Sequence, residues 1–210
     1  MQPTLLSTMT VRAASRGLQT AERIGAVLFV TILTAVAAQL SVPLPFTPVP
    51  FTFQPMVVLV GAAALGARLG AASQLLYLAL GIAGLPVFAA SPTLAHGAAR
   101  LLGPTGGYLM SYPLAAYFAG ALAERGFDRH YLTAVIAMAC GLAVIFAGGV
   151  FWLAAFVQAR GLGAALAEGF YPFVVADFVK LLLAAGVMPS LWWLTRTRDA
   201  DDERRGREGR

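Results

Sequence analysis

The segment Tyr131–Val157 reads YLTAVIAMACGLAVIFAGGVFWLAAFV and contains no charged side chain. A helix rises about 1.5 Å per residue and the hydrocarbon core of a bilayer is about 30 Å thick, so roughly 20 apolar residues cross it. The segment exceeds this length, and soluble domains seldom contain an uninterrupted apolar run of this size. It therefore predicts a membrane-spanning helix.

The composition of the whole chain is likewise typical of a membrane protein. Of the 210 residues, 59% are apolar and 12% are charged, and the mean hydropathy is +0.74. An ordinary soluble domain is about 45–50% apolar and about 25% charged. Five further segments approach the spanning length, so we predict an all-α integral membrane protein with six transmembrane helices. The five are approximately Ile24–Ser41, Pro55–Ala67, Gly70–Phe88, Gly106–Ala123 and Tyr171–Leu194.

The arginines predict the orientation, because positive charge is retained on the cytoplasmic side of a membrane. If both termini are cytoplasmic, all the arginines except Arg100 and Arg160 fall on the cytoplasmic side. We therefore expect a cytoplasmic N-terminal tail at 1–22, a six-helix membrane domain at 23–194 and a charged cytoplasmic C-terminal tail at 195–210. A cleaved signal peptide ending near Ala37 is the alternative for the first helix. The polar stretch before Ile24 is long for a signal peptide, which favours a first helix that is retained in the mature protein.

The formal charge of +5 does not indicate a nucleic-acid partner, because the basic residues lie in short loops and tails. Cys140 is the single cysteine, and His96 and His130 lack partners at ligand spacing, so we expect no metal site. The sequence contains no Walker A motif, no Gly-x-Ser-x-Gly and no His-Glu-x-x-His. The chain is therefore not expected to hydrolyse ATP itself, and we assign no catalytic residue or cofactor.

Two segments contain turn residues. The stretch 42–50 reads VPLPFTPVP, and its prolines exclude a helix, so an extended, uncharged loop is expected between the first two helices. Gly66 and Gly70, on either side of Arg68, predict a tight turn between the second and third helices.

Asp177 and Lys180 are the most informative polar residues. They lie three positions apart in the last apolar segment, and this spacing places both on one face of a helix. An ionisable residue near the bilayer centre costs at least about 2.5–3.5 kcal/mol, so something must offset that cost. Two explanations remain open, an ion pair that joins the helices and a polar floor for a ligand.

Other polar residues lie near the expected outer surface. Arg100 either snorkels to the interface or provides a counter-charge for an anionic ligand. In Gly103–Tyr108, Thr105 can cap the fourth helix and the glycines permit close backbone approach. Gln54 offers a donor and an acceptor beside Phe53, either as a ligand contact or as an interfacial cap.

Four motifs occur in order along the chain and together resemble the BioY family, the biotin-specific S components of energy-coupling factor (ECF) transporters. They are Val42-Pro43-Leu44-Pro45-Phe46-Thr47-Pro48-Val49-Pro50-Phe51-Thr52-Phe53-Gln54, Gly84-Leu85-Pro86-Val87-Phe88, Gly103-Pro104-Thr105-Gly106-Gly107-Tyr108 and Asp177-Phe178-Val179-Lys180. The match runs from about Arg23 to Leu194. The stretch Ala89–Gly97 departs from the family pattern, which leaves open which loop residues close over a ligand.

The resemblance implies a multi-pass S component in the plasma membrane of a prokaryote, which binds biotin near the outer surface. It also implies a membrane coupling protein and two cytoplasmic ATPase subunits as partners. In that family the Asp and Lys of the sixth helix are binding residues, which correspond to Asp177 and Lys180. Small residues of the first helix, Thr31 and Ala35, would suit packing on the coupling protein.

The chemistry of biotin suggests a role for each candidate residue. Asp177 would accept the ureido N–H groups, and Arg100 or Lys180 would bind the carboxylate. The amide of Gln54 and the hydroxyl of Thr52 would add polar contacts. Aromatic walls would come from Phe53, Phe88 and Tyr108.

Two other functions remain possible from the sequence. A proton-coupled carrier of another small organic acid would use Asp177 as its titrating group. A membrane enzyme would use the same carboxylate as a general base, but the sequence offers no second reactive group.

Overall fold

A computed structural model describes residues 4–10, 16–90, 95–157 and 161–194. These residues are mostly helical, and two short strands form a hairpin. The helices are α1 (Leu5–Thr10), α2 (Arg16–Gln39), α3 (Gln54–Leu65), α4 (Ala67–Ile82), α5 (Ala99–Leu102), α6 (Gly106–Ala123), α7 (Tyr131–Trp152), α8 (Leu162–Gly169) and α9 (Tyr171–Ala185). A π-helical turn, Leu153–Val157, extends α7, and residues 187–194 are again helical after a turn at Gly186.

Each of the six predicted segments corresponds to a long helix: α2, α3, α4, α6, α7 or α9. Among the described residues, three helices are long and apolar enough to cross a membrane, namely Arg16–Gln39, Tyr131–Ala155 and Tyr171–Leu194. The helices α3 and α4 are apolar but shorter.

Two predicted helix bounds were wrong. The helix α2 begins at Arg16 rather than Ile24, and α1 lies still earlier, so much of the predicted tail 1–22 is helical. The segment 16–23 is rich in Ala, Arg, Gln and Glu, which favour helix even where they are polar. The helix α4 ends at Ile82 rather than Phe88, because Gly84 has φ +94° and Pro86 follows it. The predicted C-terminal tail 195–210 lies outside the described residues.

The prolines of 42–50 lie in a loop, as predicted, but the flanking residues form a hairpin that was not predicted. The strand β1 (Ser41–Val42) pairs antiparallel with β2 (Phe51–Thr52). The Thr47 hydroxyl donates a 2.6 Å hydrogen bond to the carbonyl oxygen of Glu168 at the end of α8. We call the end of the bundle that carries this hairpin the hairpin end.

The opposite end, which we call the Gly66 end, contains the predicted turn. Gly66 is the only residue between α3 and α4, and its φ of +87° is one that side-chain-bearing residues rarely adopt. The Glu124 carboxylate at the end of α6 accepts a 2.9 Å hydrogen bond from the backbone N–H of Ala67. The prediction of a tight turn is therefore confirmed.

Small residues fill the interior and large apolar residues cover much of the surface. In α6, Ala115 and Ala116 are buried, whereas Leu114 is 53% exposed and Phe118 is 45% exposed. Water would disfavour such a surface, but lipid tails solvate it, and small interior residues let membrane helices approach closely. The close approach of α6 and α7 is clearest at Gly149, where an added Cβ would overlap the ring of Tyr108. This arrangement is typical of a helical membrane protein.

Candidate ligand-binding site

A cavity of about 50 Å³, inside a wider opening of about 580 Å³ that includes open solvent, lies near the hairpin end, between the β1–β2 hairpin, α5, α6, α7 and α9. Its walls are mostly apolar, and each of the surrounding elements contributes to them. The lining residues are Val49, Pro50, Thr52, Gln54, Pro55, Ala89, Arg100, Thr105, Tyr108, Leu109, Tyr112, Ile145, Phe146, Phe173 and Asp177. Of the eight binding residues that the sequence predicts, five line this cavity.

Asp177 brings a carboxylate into the cavity wall from α9. It is 8% exposed, and it forms an ion pair with Lys180 one turn further along the helix. A buried carboxylate keeps its charge only if a cation or hydrogen-bond donors offset the loss of hydration. The ion pair provides that cation, and Asp177 remains part of the wall that a ligand would contact.

Lys180 lies beside the cavity and does not line it. Its Nζ donates a 2.6 Å hydrogen bond to the carbonyl oxygen of Thr52 and lies 3.9 Å from the ring centroid of Phe51. It lines instead a much smaller cavity of about 10 Å³, which is also lined by Met56 and Asp177. Of the two explanations that the sequence left open, the ion pair is present, and its carboxylate also lines the cavity. The role of this pair as a floor for a ligand stays a prediction.

Arg100 is 2% exposed, which excludes one of the two roles that the sequence left open, snorkelling to the interface. Its role as the counter-charge for an anionic ligand stays a prediction. Its guanidinium donates hydrogen bonds to the carbonyl oxygens of Ala89, at 2.6 Å, and Ala95, at 3.5 Å, which draw it into the cavity wall. Its Nε has no partner among the described residues. Burial lowers the pKa of Arg100, but an arginine remains protonated at physiological pH. The cavity therefore contains a fixed positive charge whose Nε–H is not hydrogen-bonded within the described ranges.

Gln54 and Thr105 add neutral polar groups. The Gln54 side-chain amide donates a 2.7 Å hydrogen bond to the Tyr77 hydroxyl, which donates in turn to the carbonyl oxygen of Val87 at 3.2 Å. Thr105 occupies the N-cap position of α6, but its side chain makes no cap hydrogen bond, so the predicted capping role was wrong. Its buried hydroxyl has no partner within the described part of the chain, and it lines the cavity.

Two of the predicted aromatic walls do not line the cavity. Phe53 is 39% exposed and packs on Phe51, because the turn into α3 directs it away from the cavity. Phe88 folds back over Gly81 and packs edge-on against Tyr77, at 5.5 Å between ring centroids. Tyr108 does line the cavity, and its hydroxyl donates a 2.7 Å hydrogen bond to the carbonyl oxygen of Gly169.

Of the two residues predicted to pack on a partner helix, Thr31 is buried within this chain, whereas Ala35 is only half-buried and its packing on a partner stays a prediction. Thr31 is 1% exposed and donates a 2.9 Å hydrogen bond to the carbonyl oxygen of Ser73 in α4. Ala35 is partly buried against the core of this chain. The physical reason is that small residues of α2 let α4 approach closely, whereas large apolar residues such as Phe29, 65% exposed, face outward.

The arrangement suits an amphipathic small molecule. A carboxylate accepts N–H donors, a guanidinium binds an anionic group, and the apolar and aromatic walls cover a hydrophobic body. No group of three His, Cys, Asp or Glu side chains that could hold a metal ion occurs among the residues the structure describes.

Comparison with known proteins identifies the family. The model of the BioY family matches residues 9–197 of this chain. This chain belongs to the BioY family. A biotin transporter BioY of Thermotoga maritima is 42% identical over 156 residues, which cover 74% of this chain and 86% of the relative.

A probable biotin transporter BioY of Pyrococcus horikoshii is likewise 42% identical over 164 residues, 78% of this chain and 92% of the relative. The crystal structure of the S component for biotin from an ECF-type ABC transporter superimposes with a TM-score of 0.74 at 26% identity. That alignment covers 85% of this chain and 94% of the crystallised one. This BioY family member is therefore a transporter component and not an enzyme.

Three aromatic residues of the cavity in this BioY protein were missed in the sequence. Phe173 precedes Asp177 by four residues and Tyr112 follows Tyr108 by four, so helical spacing places each pair on one face and could have indicated them. Phe146 lies in the middle of the longest apolar run. Because its neighbours are apolar on every side of the helix, the spacing of apolar residues does not show which face points inward. It reaches the cavity only because α7 packs against α6.

Proposed function

We propose that this protein is the substrate-binding S component of an ECF transporter, which captures biotin at the hairpin end and delivers it across the membrane. The observation that carries the proposal is one cavity that contains both a buried carboxylate, Asp177, and a buried guanidinium, Arg100, within apolar walls. Biotin combines two ureido N–H donors, an apolar bicycle and an aliphatic carboxylate, and each part has a counterpart in this cavity. The BioY relatives support the same ligand.

Each polar group then has a specific task. Asp177 accepts the ureido N–H groups, and Arg100 uses its free Nε to donate to the biotin carboxylate. The hydroxyls of Thr105 and Thr52 and the amide of Gln54 contribute neutral contacts. Tyr108 and Phe173 cover the apolar bicycle. Lys180 acts indirectly, through its ion pair with Asp177 and its bond to the outer hairpin.

We further infer that six helices cross the plasma membrane of a prokaryote. They are α2, α3, α4, α6, α7 and α9, the last continued by 187–194. The hairpin end faces outside and both termini are cytoplasmic, since all but two arginines fall on the Gly66 side in this arrangement. Residues 23–194 form the membrane domain between two cytoplasmic tails. The partners are an ECF coupling protein and two cytoplasmic ATPase subunits, because this chain contains no nucleotide-binding motif of its own.

Isothermal titration of the purified protein in detergent tests the proposal. Biotin should bind at one site with a dissociation constant in the nanomolar range, and thiamine, which has neither the ureido ring nor a carboxylate, should give no heat. Absence of binding by biotin to protein that is still folded by circular dichroism would refute the proposed function.

A further inference from the structure

A second polar pocket lies at the Gly66 end, far from the ligand cavity along the helices. It has a volume of about 150 Å³ and is formed where α1 lies beside α2, the end of α3 and the start of α4. Ser7 of α1 and Thr4, which directly precedes α1, contribute hydroxyl-bearing side chains, and Arg23 of α2 and Arg68 of α4 contribute guanidinium groups. The biotin-binding role proposed above makes no use of this pocket.

The charge of the two arginines is not neutralised by an ion pair among the described residues. Within the described part of the chain, neither Arg23 nor Arg68 forms an ion pair with a carboxylate. One carboxylate, Glu124, also lines the pocket, but it accepts the backbone N–H of Ala67 at 2.9 Å. The formal charge of the pocket is therefore positive, and an anion is the ligand that it favours.

The position of the arginines indicates where that anion comes from. Arg23 directly precedes the apolar stretch of α2 that begins at Ile24, and Arg68 is the second residue of α4. Both therefore lie at the depth where the apolar spans end, which is the depth of lipid headgroups. Leu65 and Leu69 line the apolar side of the same pocket, so a glycerol backbone and acyl chains would meet apolar surface.

We infer that this pocket binds the phosphate group of an anionic phospholipid between Arg23 and Arg68. A guanidinium pairs with phosphate oxygens through two parallel N–H donors, and two such groups fit one phosphate better than a single exposed arginine does. The Ser7 and Thr4 side chains close the pocket over the headgroup. A bound lipid would thus join α1 to the helical bundle. This inference does not depend on which ligand occupies the cavity at the hairpin end.

Native mass spectrometry of the purified chain tests the inference. Phosphatidylglycerol should remain bound in preference to phosphatidylcholine with the same acyl chains. The double variant R23Q/R68Q should bind phosphatidylglycerol at least about tenfold more weakly than the parent protein does. The matched control is R16Q/R125Q, which removes the same charge from exposed arginines at the same end that do not line the pocket. This control should retain the lipid.

Three results would overturn the inference. They are equal loss of lipid in both double variants, unchanged binding in R23Q/R68Q, and displacement of the lipid by millimolar inorganic phosphate alone. The last would assign the pocket to free phosphate. Biotin titration and the unfolding temperature of each variant show whether the variants are folded, so a loss of lipid with unchanged biotin binding is specific to the pocket.

Discussion

The Nζ of Lys180 donates a 2.6 Å hydrogen bond to the backbone carbonyl oxygen of Thr52, so α9 is hydrogen-bonded to the β1–β2 hairpin. The same ammonium group pairs with Asp177 and lies over the ring of Phe51. One buried cation therefore holds together a carboxylate of the ligand cavity and a strand beside that cavity. Lys180 therefore contacts a residue of the cavity wall without lining the cavity itself.

We expect Lys180→Met to destabilise the protein by roughly 3–5 kcal/mol, because it leaves the Asp177 carboxylate buried without its cation. The double variant Asp177→Asn with Lys180→Met should recover much of this loss, since it removes both charges. Thermal unfolding in detergent measures the difference. Equal unfolding temperatures for the single and double variants would contradict the assigned ion pair.

Asp177→Asn should weaken biotin binding by about 10- to 100-fold, because an acceptor-only carboxylate becomes a mixed donor and acceptor facing two ureido N–H groups. Isothermal titration gives the affinity. Glu168→Gln is the matched control, since Glu168 lies on α8 and does not line the cavity. If the two variants bind biotin equally well, Asp177 does not contact the ureido ring.

Arg100→Gln should weaken binding of biotin by about 10- to 100-fold and leave binding of biotin methyl ester nearly unchanged. The ester lacks the negative charge that the guanidinium is proposed to bind. Arg100 also donates a hydrogen bond to the carbonyl oxygen of Ala89. An equal loss of affinity for biotin and for its methyl ester would therefore indicate that Arg100 only positions the loop that contains Ala89. Arg125→Gln, an exposed arginine at the Gly66 end, serves as the control with no expected effect on either ligand.

Gly149→Ala should lower both the unfolding temperature and biotin affinity, because the added methyl group overlaps the Tyr108 ring that forms part of the cavity wall. The overlap should cost about 1–3 kcal/mol of stability. Gly25→Ala makes the same chemical change in α2, where nothing lies within 4 Å of the added methyl group. Gly25→Ala should be neutral or stabilising by about 0.5–1 kcal/mol, and a comparable loss there would argue against close packing as the cause.

Stability should depend on pH through Asp128, in the loop between α6 and α7. Burial raises the pKa of Asp128, although a 2.6 Å hydrogen bond from the Trp192 indole N–H opposes this change. A carboxyl group with a raised pKa in the folded state stabilises the protein below its unfolded-state pKa, and this contribution is lost as the pH rises through the folded-state pKa.

We therefore expect the unfolding temperature to fall as the pH rises above the usual range of an aspartate, about pH 4. Asp128→Asn keeps an acceptor for Trp192 and should flatten this part of the pH profile. A profile that is identical in the variant and the parent protein would show that another group titrates.

Much of the fold could be predicted from single segments of the sequence. The apolar run of Tyr131–Val157, the turn at Gly66 and the start of α6 at Gly106 all depend on residues next to one another, through hydration, steric freedom at glycine and helical periodicity. The spacing of Asp177 and Lys180 likewise determined that both lie on one helical face. The family relationship also follows from the sequence, because its four motifs are local.

Only the tertiary structure decided where the long side chains point. Lys180 and Asp177 share a helical face, yet the lysine reaches the β1–β2 hairpin while the carboxylate lines the cavity, because Thr52 offers an acceptor 128 positions away. Thr31 faces α4, where it binds the carbonyl oxygen of Ser73. Arg100 is buried because the loop before α5 folds back and places the carbonyl oxygen of Ala89 against it. Each outcome depends on how the chain folds back on itself, and local periodicity contains no information about such contacts.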